Sequence, residues 1–245
     1  MAKLQKFTSP LSFNFDRTVI QRMRTNSNEH FEKVKDVFIV VDGKHKVSCW
    51  NKYTASLIRI DETLRYINTL KLGKTENRAA FDLYEFIMHC DVVIVSIKEL
   101  AKIFNVDYKQ NLTKNIDCFG EAIFDNESNI KNRITIKEIQ KSNDENFWKY
   151  LRSLSAIHPT NTTTANFIDE YMGNKLHISP FASWNFDNVG FNLSSFPKMN
   201  VVVTIWKGDY NSNYSHIIFD TSMIEKYVVK WIYLLDKIEE KVESL

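Results

Sequence analysis

Apolar side chains recur at helical spacing along much of the chain and predict a mainly helical protein. The clearest stripe has successive spacings of 3, 4, 3, 4 and 3 residues, which places its members on one face of a single helix. These members are Trp50, Tyr53, Leu57, Ile60, Leu64 and Ile67. A second stripe, near the carboxyl end, predicts one long helix through Ile224, Val228, Trp231, Leu235, Ile238 and Val242. Two long stripes of near-heptad spacing favour antiparallel packing of helices.

Weaker patterns predict three further helices. Residues 14–41 fit a helix, with a short strand at 37–41 before Asp42-Gly43 as the alternative. Residues 76–104 fit a longer helix. The capping residues Asn143-Asp144-Glu145 open another helix, which Pro159 is expected to end.

Strand patterns are confined to shorter parts of the chain. Residues 105–142 are rich in Asn, Asp, Lys and Ser, and predict a long connection with at most one strand, near 134–136. Apolar runs at 176–178, 199–206 and 216–219 predict short strands, with Lys207–Asn213 as a hairpin connection. The predicted fold class is therefore mainly α: an up-and-down bundle of about five helices with a small antiparallel β element, residues 176–220, inserted before the C-terminal helix. We expect residues 1–245 to form a single domain.

Composition narrows the functional classes. The 245 residues are 44% hydrophobic and 25% charged, as in ordinary globular proteins, and the net charge of +2 gives no overall basic field for nucleic acid. Three widely spaced cysteines indicate neither a disulfide framework nor a zinc site, and reduced thiols suit a cytoplasmic location. The longest apolar run, Val92–Val95, is too short for a membrane span.

Motifs for common cofactors are missing. Gly73-Lys74-Thr75 resembles the end of a phosphate-binding loop, but Asn68 stands where that loop needs its first glycine. The six histidines include neither an HExxH motif nor an i, i+4 pair, so no metal is predicted. We therefore expect no cofactor.

One segment carries candidate chemistry. In the sequence Phe147-Trp-Lys-Tyr-Leu-Arg-Ser-Leu-Ser-Ala-Ile-His-Pro159, five residues separate Arg152 from His158 near a predicted helix end. This arrangement resembles the Arg-x4–6-His motif of the HEPN superfamily of helical-bundle proteins. Ser153 follows the motif arginine, where many members of that family carry Asn, Asp or His.

The resemblance implies a metal-independent endoribonuclease of bacterial defence or stress, of the toxin or abortive-infection type. Arg152 and His158 would be its catalytic residues, and the site would lie across a homodimer. Ser155, Thr160 and Asn161 are candidates for orienting the RNA substrate or the imidazole. A cognate antitoxin or regulatory protein is a further expected partner.

The residue types suit this chemistry. Histidine titrates near neutral pH and can transfer a proton, whereas arginine stays charged and binds phosphate oxygens through two parallel hydrogen bonds. Aromatic groups are candidates for stacking on bases, with core packing as the alternative: Trp148, Tyr150, Trp184 and Trp206.

The same spacing occurs a second time, at Arg24 and His30, within a polar segment without a following proline. Short motifs of this kind arise by chance, so a different class of function stays open. That alternative is a non-catalytic HEPN-like interaction or regulatory protein, which binds a protein partner or nucleic acid and engages Arg152 and His158 in internal contacts.

Overall fold

The computed structural model describes most of the chain, namely residues 12–35, 39–42, 45–71, 76–108, 112, 115–126, 133–139, 142–154, 178–185, 199–207 and 214–245. Within these residues the longest helices carry the apolar stripes seen in the sequence. The α-helices are α1 (Thr18–Thr25), α2 (Ser27–Val34), α3 (Trp50–Ile67), α4 (Glu76–Ile103), α5 (Asp144–Arg152), α6 (Thr221–Ile232) and α7 (Leu234–Glu243).

All strand pairing in the described residues is antiparallel. The strands are β1 (Ile39–Asp42), β2 (His45–Ser48), β3 (Ile123–Asn126), β4 (Ile134–Thr135), β5 (Ile178–Asn185), β6 (Val201–Lys207) and β7 (Tyr214–Phe219). β1 and β2 form a two-stranded sheet, and the other five form a sheet with the order β4-β3-β7-β6-β5. In the larger sheet, Phe124, Ile217 and Val203 lie opposite one another on adjacent strands, and all three are buried.

The mainly α class with a small antiparallel sheet is confirmed, and the helices predicted at 50–67 and 76–104 match α3 and α4. The up-and-down bundle and the single domain stay predictions. The predicted helix end at Pro159 and the hairpin connection at 207–213 extend outside the described residues.

Two predictions of local structure are wrong. The helix at 14–41 is two helices separated at Asn26, because the run Thr25–Asn28 offers no apolar side chain to bury. The β-branched residues Ile39–Val41 lie in β1, which agrees with the alternative prediction of a short strand at 37–41. The C-terminal helix is interrupted at Tyr233, whose side chain is exposed.

The sheet is also larger than predicted. β3 and β4 both lie within the segment expected to hold at most one strand. β3 pairs with β7, so two strands of the sheet precede α5 in the chain rather than follow it. This partner lies about ninety residues away in sequence, and such long-range pairing can override weak local propensity.

The chain divides into two compact units, each built from separate segments. The first draws on Lys71–Met88 and Thr113–Tyr227, and the second on Phe13–Leu70, His89–Leu112 and Val228–Leu245. The first therefore holds α5 and the five-stranded sheet, and the second holds α1, α2, α3 and α7.

Ion pairs join the helices of the second unit. Arg17 and Arg24, at the two ends of α1, both bind the buried carboxylate of Asp61 on α3. Arg22 forms a two-pronged ion pair with Glu239 of α7, which is also buried. A buried carboxylate is stable only when its charge is paired, so these arginines hold α1 against α3 and α7.

A buried histidine lies next to this network. His30 of α2 is within hydrogen-bond distance of the Tyr53 hydroxyl of α3, with 3.1 Å between its Nδ1 and the oxygen. Burial lowers the pKa of His30 below its usual 6.5; Lys33 acts in the same direction, and Glu239 and Glu29 oppose it. The folded protein therefore favours the neutral imidazole.

This burial predicts a pH-dependent stability. Because the unfolded chain binds a proton at His30 more readily than the folded chain, the contribution is fully present above about pH 6.5 and is lost as the pH falls through the folded pKa. Thermal unfolding followed between pH 8 and pH 5 should show a smaller acid destabilisation in His30→Gln than in wild type. An unchanged slope in His30→Gln would contradict the assignment.

Candidate functional site

The start of α5 is fixed by a cap and by a buried carboxylate. The side-chain oxygen of Asn143 accepts a hydrogen bond from the Asn146 amide at 2.8 Å, which satisfies a free amide of the first turn. Asp144 is fully buried and accepts hydrogen bonds from the backbone amides of Cys118 (2.9 Å) and Phe119 (3.1 Å). The loop before the sheet is thereby tied to the first turn of the helix.

Aromatic packing determines which side of α5 is buried. Phe147, Trp148 and Leu151 lie in the core of the first unit. The rings of Phe147 and Phe119 are 4.8 Å apart, and those of Trp148 and Tyr227 are 5.5 Å apart. These contacts fix the rotation of the helix about its axis, and with it the direction of its remaining side chains.

Arg152 is the last residue of α5 and is half-buried. Lys149, one turn earlier, is exposed, so two cations lie near the negative end of the helix dipole, where positive charge is favourable. The Ser153 hydroxyl donates to the Tyr150 carbonyl at 2.7 Å. Ser153 and Leu154 continue in the wider π-helical geometry, which occurs often at functional sites.

The other predicted site residues lie outside the described part of the chain. They are the catalytic candidate His158 and the orienting candidates Ser155, Thr160 and Asn161. Of the predicted site residues, the structure therefore describes the position of Arg152 only. Trp148 and Tyr150 are buried, which confirms core packing over base stacking for both, and the side chains of Trp184 and Trp206 lie outside the description.

The second copy of the motif is engaged in internal contacts. The guanidinium of Arg24 binds Asp61, and the imidazole of His30 contacts the Tyr53 hydroxyl. His30 is only 3% exposed, so a phosphate in solution cannot reach it. This copy belongs to the core of the second unit, and Arg152 with His158 stays the candidate site.

The structure also shows a polar cluster that the sequence analysis missed. Asp125 of β3 lies directly opposite His216 of β7, and the Nε of Arg133 donates to the Asp125 carboxylate at 3.0 Å. Asp125 and His216 are buried, so a substrate in solution does not reach these two side chains, whereas Arg133 is exposed. The spacing of residues along the chain gives no sign of this cluster, because Asp125 and His216 are far apart in the sequence.

The described residues offer no candidate metal site and no candidate membrane-spanning helix. They contain no group of three or more His, Cys, Asp or Glu side chains arranged to hold a metal ion. Their helices include none with an apolar stretch long enough to cross a membrane. Cys49, Cys90 and Cys118, all among these residues, form no disulfide bond.

Comparisons with known proteins give no relative. The chain matches no protein-family model, no curated protein and no solved structure.

Proposed function

We propose that this protein is a metal-independent endoribonuclease of bacterial defence or stress, and that it works as a homodimer in the cytoplasm. Arg152 and His158 are the proposed catalytic residues, and Ser155, Thr160 and Asn161 orient the RNA or the imidazole. The proposal starts from the HEPN-like motif in the sequence. A cognate antitoxin or regulatory protein is its natural partner.

The position of Arg152 is the observation that carries this proposal. The residue ends a helix whose first turn is tied down by Asp144 and whose core face is packed by aromatic rings. The residue as a whole is half-buried, and the Nε atom of its guanidinium is buried, so the protein surrounds part of this charged group. A positioned guanidinium of this kind can bind two phosphate oxygens and stabilise the charge that develops on them.

The proposed reaction uses the 2′-hydroxyl of RNA as the nucleophile. His158 accepts the 2′-hydroxyl proton while the 2′-oxygen attacks the adjacent phosphorus. The bond from phosphorus to the 5′-oxygen breaks, and the imidazolium returns a proton to that leaving oxygen. The products are a 2′,3′-cyclic phosphate and a 5′-hydroxyl end, and Arg152 neutralises the additional negative charge in the transition state.

The test is cleavage of a mixed-sequence RNA by the purified full chain in the presence of EDTA. We expect cleavage to persist in EDTA and to yield 2′,3′-cyclic phosphate ends, because the motif supplies both the proton acceptor and the positive charge. A 2′-O-methylated RNA of the same sequence is the matched substrate control and should remain intact. Cleavage that requires a metal ion, or that proceeds equally on the methylated RNA, would contradict the mechanism, and RNA binding without cleavage would favour the non-catalytic alternative.

A further inference from the structure

The outer face of α3 carries apolar side chains that are partly exposed, and one of them, Tyr66, also packs its ring against His89 of α4. Ile58 is 36% exposed and Tyr66 is 41% exposed, and they lie two helical turns apart on the same side of the helix. Val95 of α4, which is 42% exposed, extends this surface. It lies one turn before Glu99, whose carboxylate binds Lys52 at the start of α3. Together Ile58, Tyr66 and Val95 make an apolar patch, and exposed apolar patches mark interaction sites.

This face of α3 also carries two side chains of opposite charge. Arg59 and Glu62 are exposed and lie between Ile58 and Tyr66. Neither makes an ion pair with any residue in the described part of the chain. Other exposed charges of the second unit do find partners, among them Lys52 with Glu99 and Lys33 with Glu29. In the single chain these two charged groups are therefore solvated, and they are available to pair with a second molecule.

We infer that the outer face of α3 binds the same face of a second copy of this chain, with the two helices antiparallel. A twofold axis midway between residues 60 and 61 places Arg59 of one copy opposite Glu62 of the other, and the converse pair follows from symmetry. The same axis places the bulky Tyr66 opposite the small side chain of Ala55, again twice. One helix face thus supplies both halves of a charge-matched and size-matched interface.

The order of side chains along residues 55–66 supports binding of a second copy of this chain rather than of a different protein. An isologous interface requires that each feature meet its complement when the surface is turned on itself. The sequence Ala55-Ser-Leu-Ile-Arg-Ile-Asp-Glu-Thr-Leu-Arg-Tyr66 satisfies this requirement for charge and for size at one and the same axis. The inference concerns association through α3 alone, so it depends neither on RNA cleavage nor on the position of Arg152.

The test is sedimentation velocity of the full chain with charge-reversal variants. Wild type should be dimeric at concentrations of about 10–100 µM, the range in which a micromolar dimer is populated. Arg59→Glu places like charges opposite each other at two symmetric positions and should raise the dimer dissociation constant by about tenfold or more. The double variant Arg59→Glu/Glu62→Arg restores both pairs and should return the constant to within about threefold of wild type.

A matched control reverses a charge elsewhere on the second unit. Lys237→Glu lies at an exposed position of α7 and should leave the dissociation constant unchanged. A wild type that is monomeric at all these concentrations would overturn both the interface and the proposed homodimer. A dimer that Arg59→Glu leaves intact would overturn only the α3 interface. A double variant whose dissociation constant is as high as that of Arg59→Glu would do the same.

Discussion

Replacement of His158 by alanine is expected to slow RNA cleavage in EDTA by about 10²–10⁴-fold, the usual contribution of a general acid–base group. His158 is proposed to accept the 2′-hydroxyl proton, and alanine offers no group that could replace it. The measurement is the single-turnover cleavage rate at saturating enzyme, which separates the chemical step from RNA binding. A variant that cleaves at the wild-type rate would show that another group takes the proton.

Arg152 should give a loss of similar size for a different reason. Arg152→Ala removes the charge that stabilises the transition state, for which losses of about 10²–10³-fold are typical. Arg152→Lys keeps the charge but not the two parallel hydrogen bonds, so its rate should fall between those of wild type and Arg152→Ala. Lys149→Ala is the matched control, because Lys149 is an exposed cation one turn away on the same helix. Equal losses in Lys149→Ala and Arg152→Ala would indicate general attraction of RNA rather than a positioned group.

The second large expected effect is a loss of stability when the Asp144 carboxylate, which anchors the first turn of α5, is removed. Asp144→Ala should lower the free energy of unfolding by about 2–4 kcal/mol, because it leaves the buried amide of Phe119 and the part-buried amide of Cys118 without their charged acceptor. It should also reduce cleavage, since the loop and the first turn of α5 are no longer joined. Urea unfolding followed by tryptophan fluorescence, with Trp148 in the core of the same helix, measures the change.

Two variants separate the carboxylate of Asp144 from general damage to the helix. Asp144→Asn keeps one acceptor oxygen and should cost clearly less than Asp144→Ala. Glu145→Ala removes the neighbouring acid, whose ion pair with the exposed Lys149 joins residues one turn apart, and should cost clearly less than Asp144→Ala, about 0.5 kcal/mol. If Asp144→Ala were as mild as Glu145→Ala, the proposed anchoring of α5 would be wrong.

Elements with strong local periodicity could be predicted from the sequence. The stripe from Trp50 to Ile67 has the same bounds as α3, because every buried position of that helix recurs at helical spacing. Asn143 was recognisable as a cap, since its side chain satisfies an amide only three residues away. Both signals lie within one short segment of the chain.

Elements that depend on distant partners could not be predicted in this way. β3 contains Asp125 and Asn126, which are poor strand formers, and it forms because β7 pairs with it and Arg133 neutralises the buried aspartate. The interruption at Tyr233 leaves the stripe from Ile224 to Val242 in phase, so the apolar spacing carries no sign of it. The buried contacts of Arg24 and His30 likewise depend on α3, which lies far from them in sequence.

The central claim is that Arg152 and His158 act together on one phosphate. The most direct measurement is a double-mutant cycle of single-turnover RNA cleavage in EDTA, with Arg152→Ala, His158→Ala and the double variant compared with wild type. Groups that act as a unit are strongly non-additive, so the double variant should be about as slow as the slower single variant. Losses that add up in the double variant, or single variants that both cleave at the wild-type rate, would contradict the account.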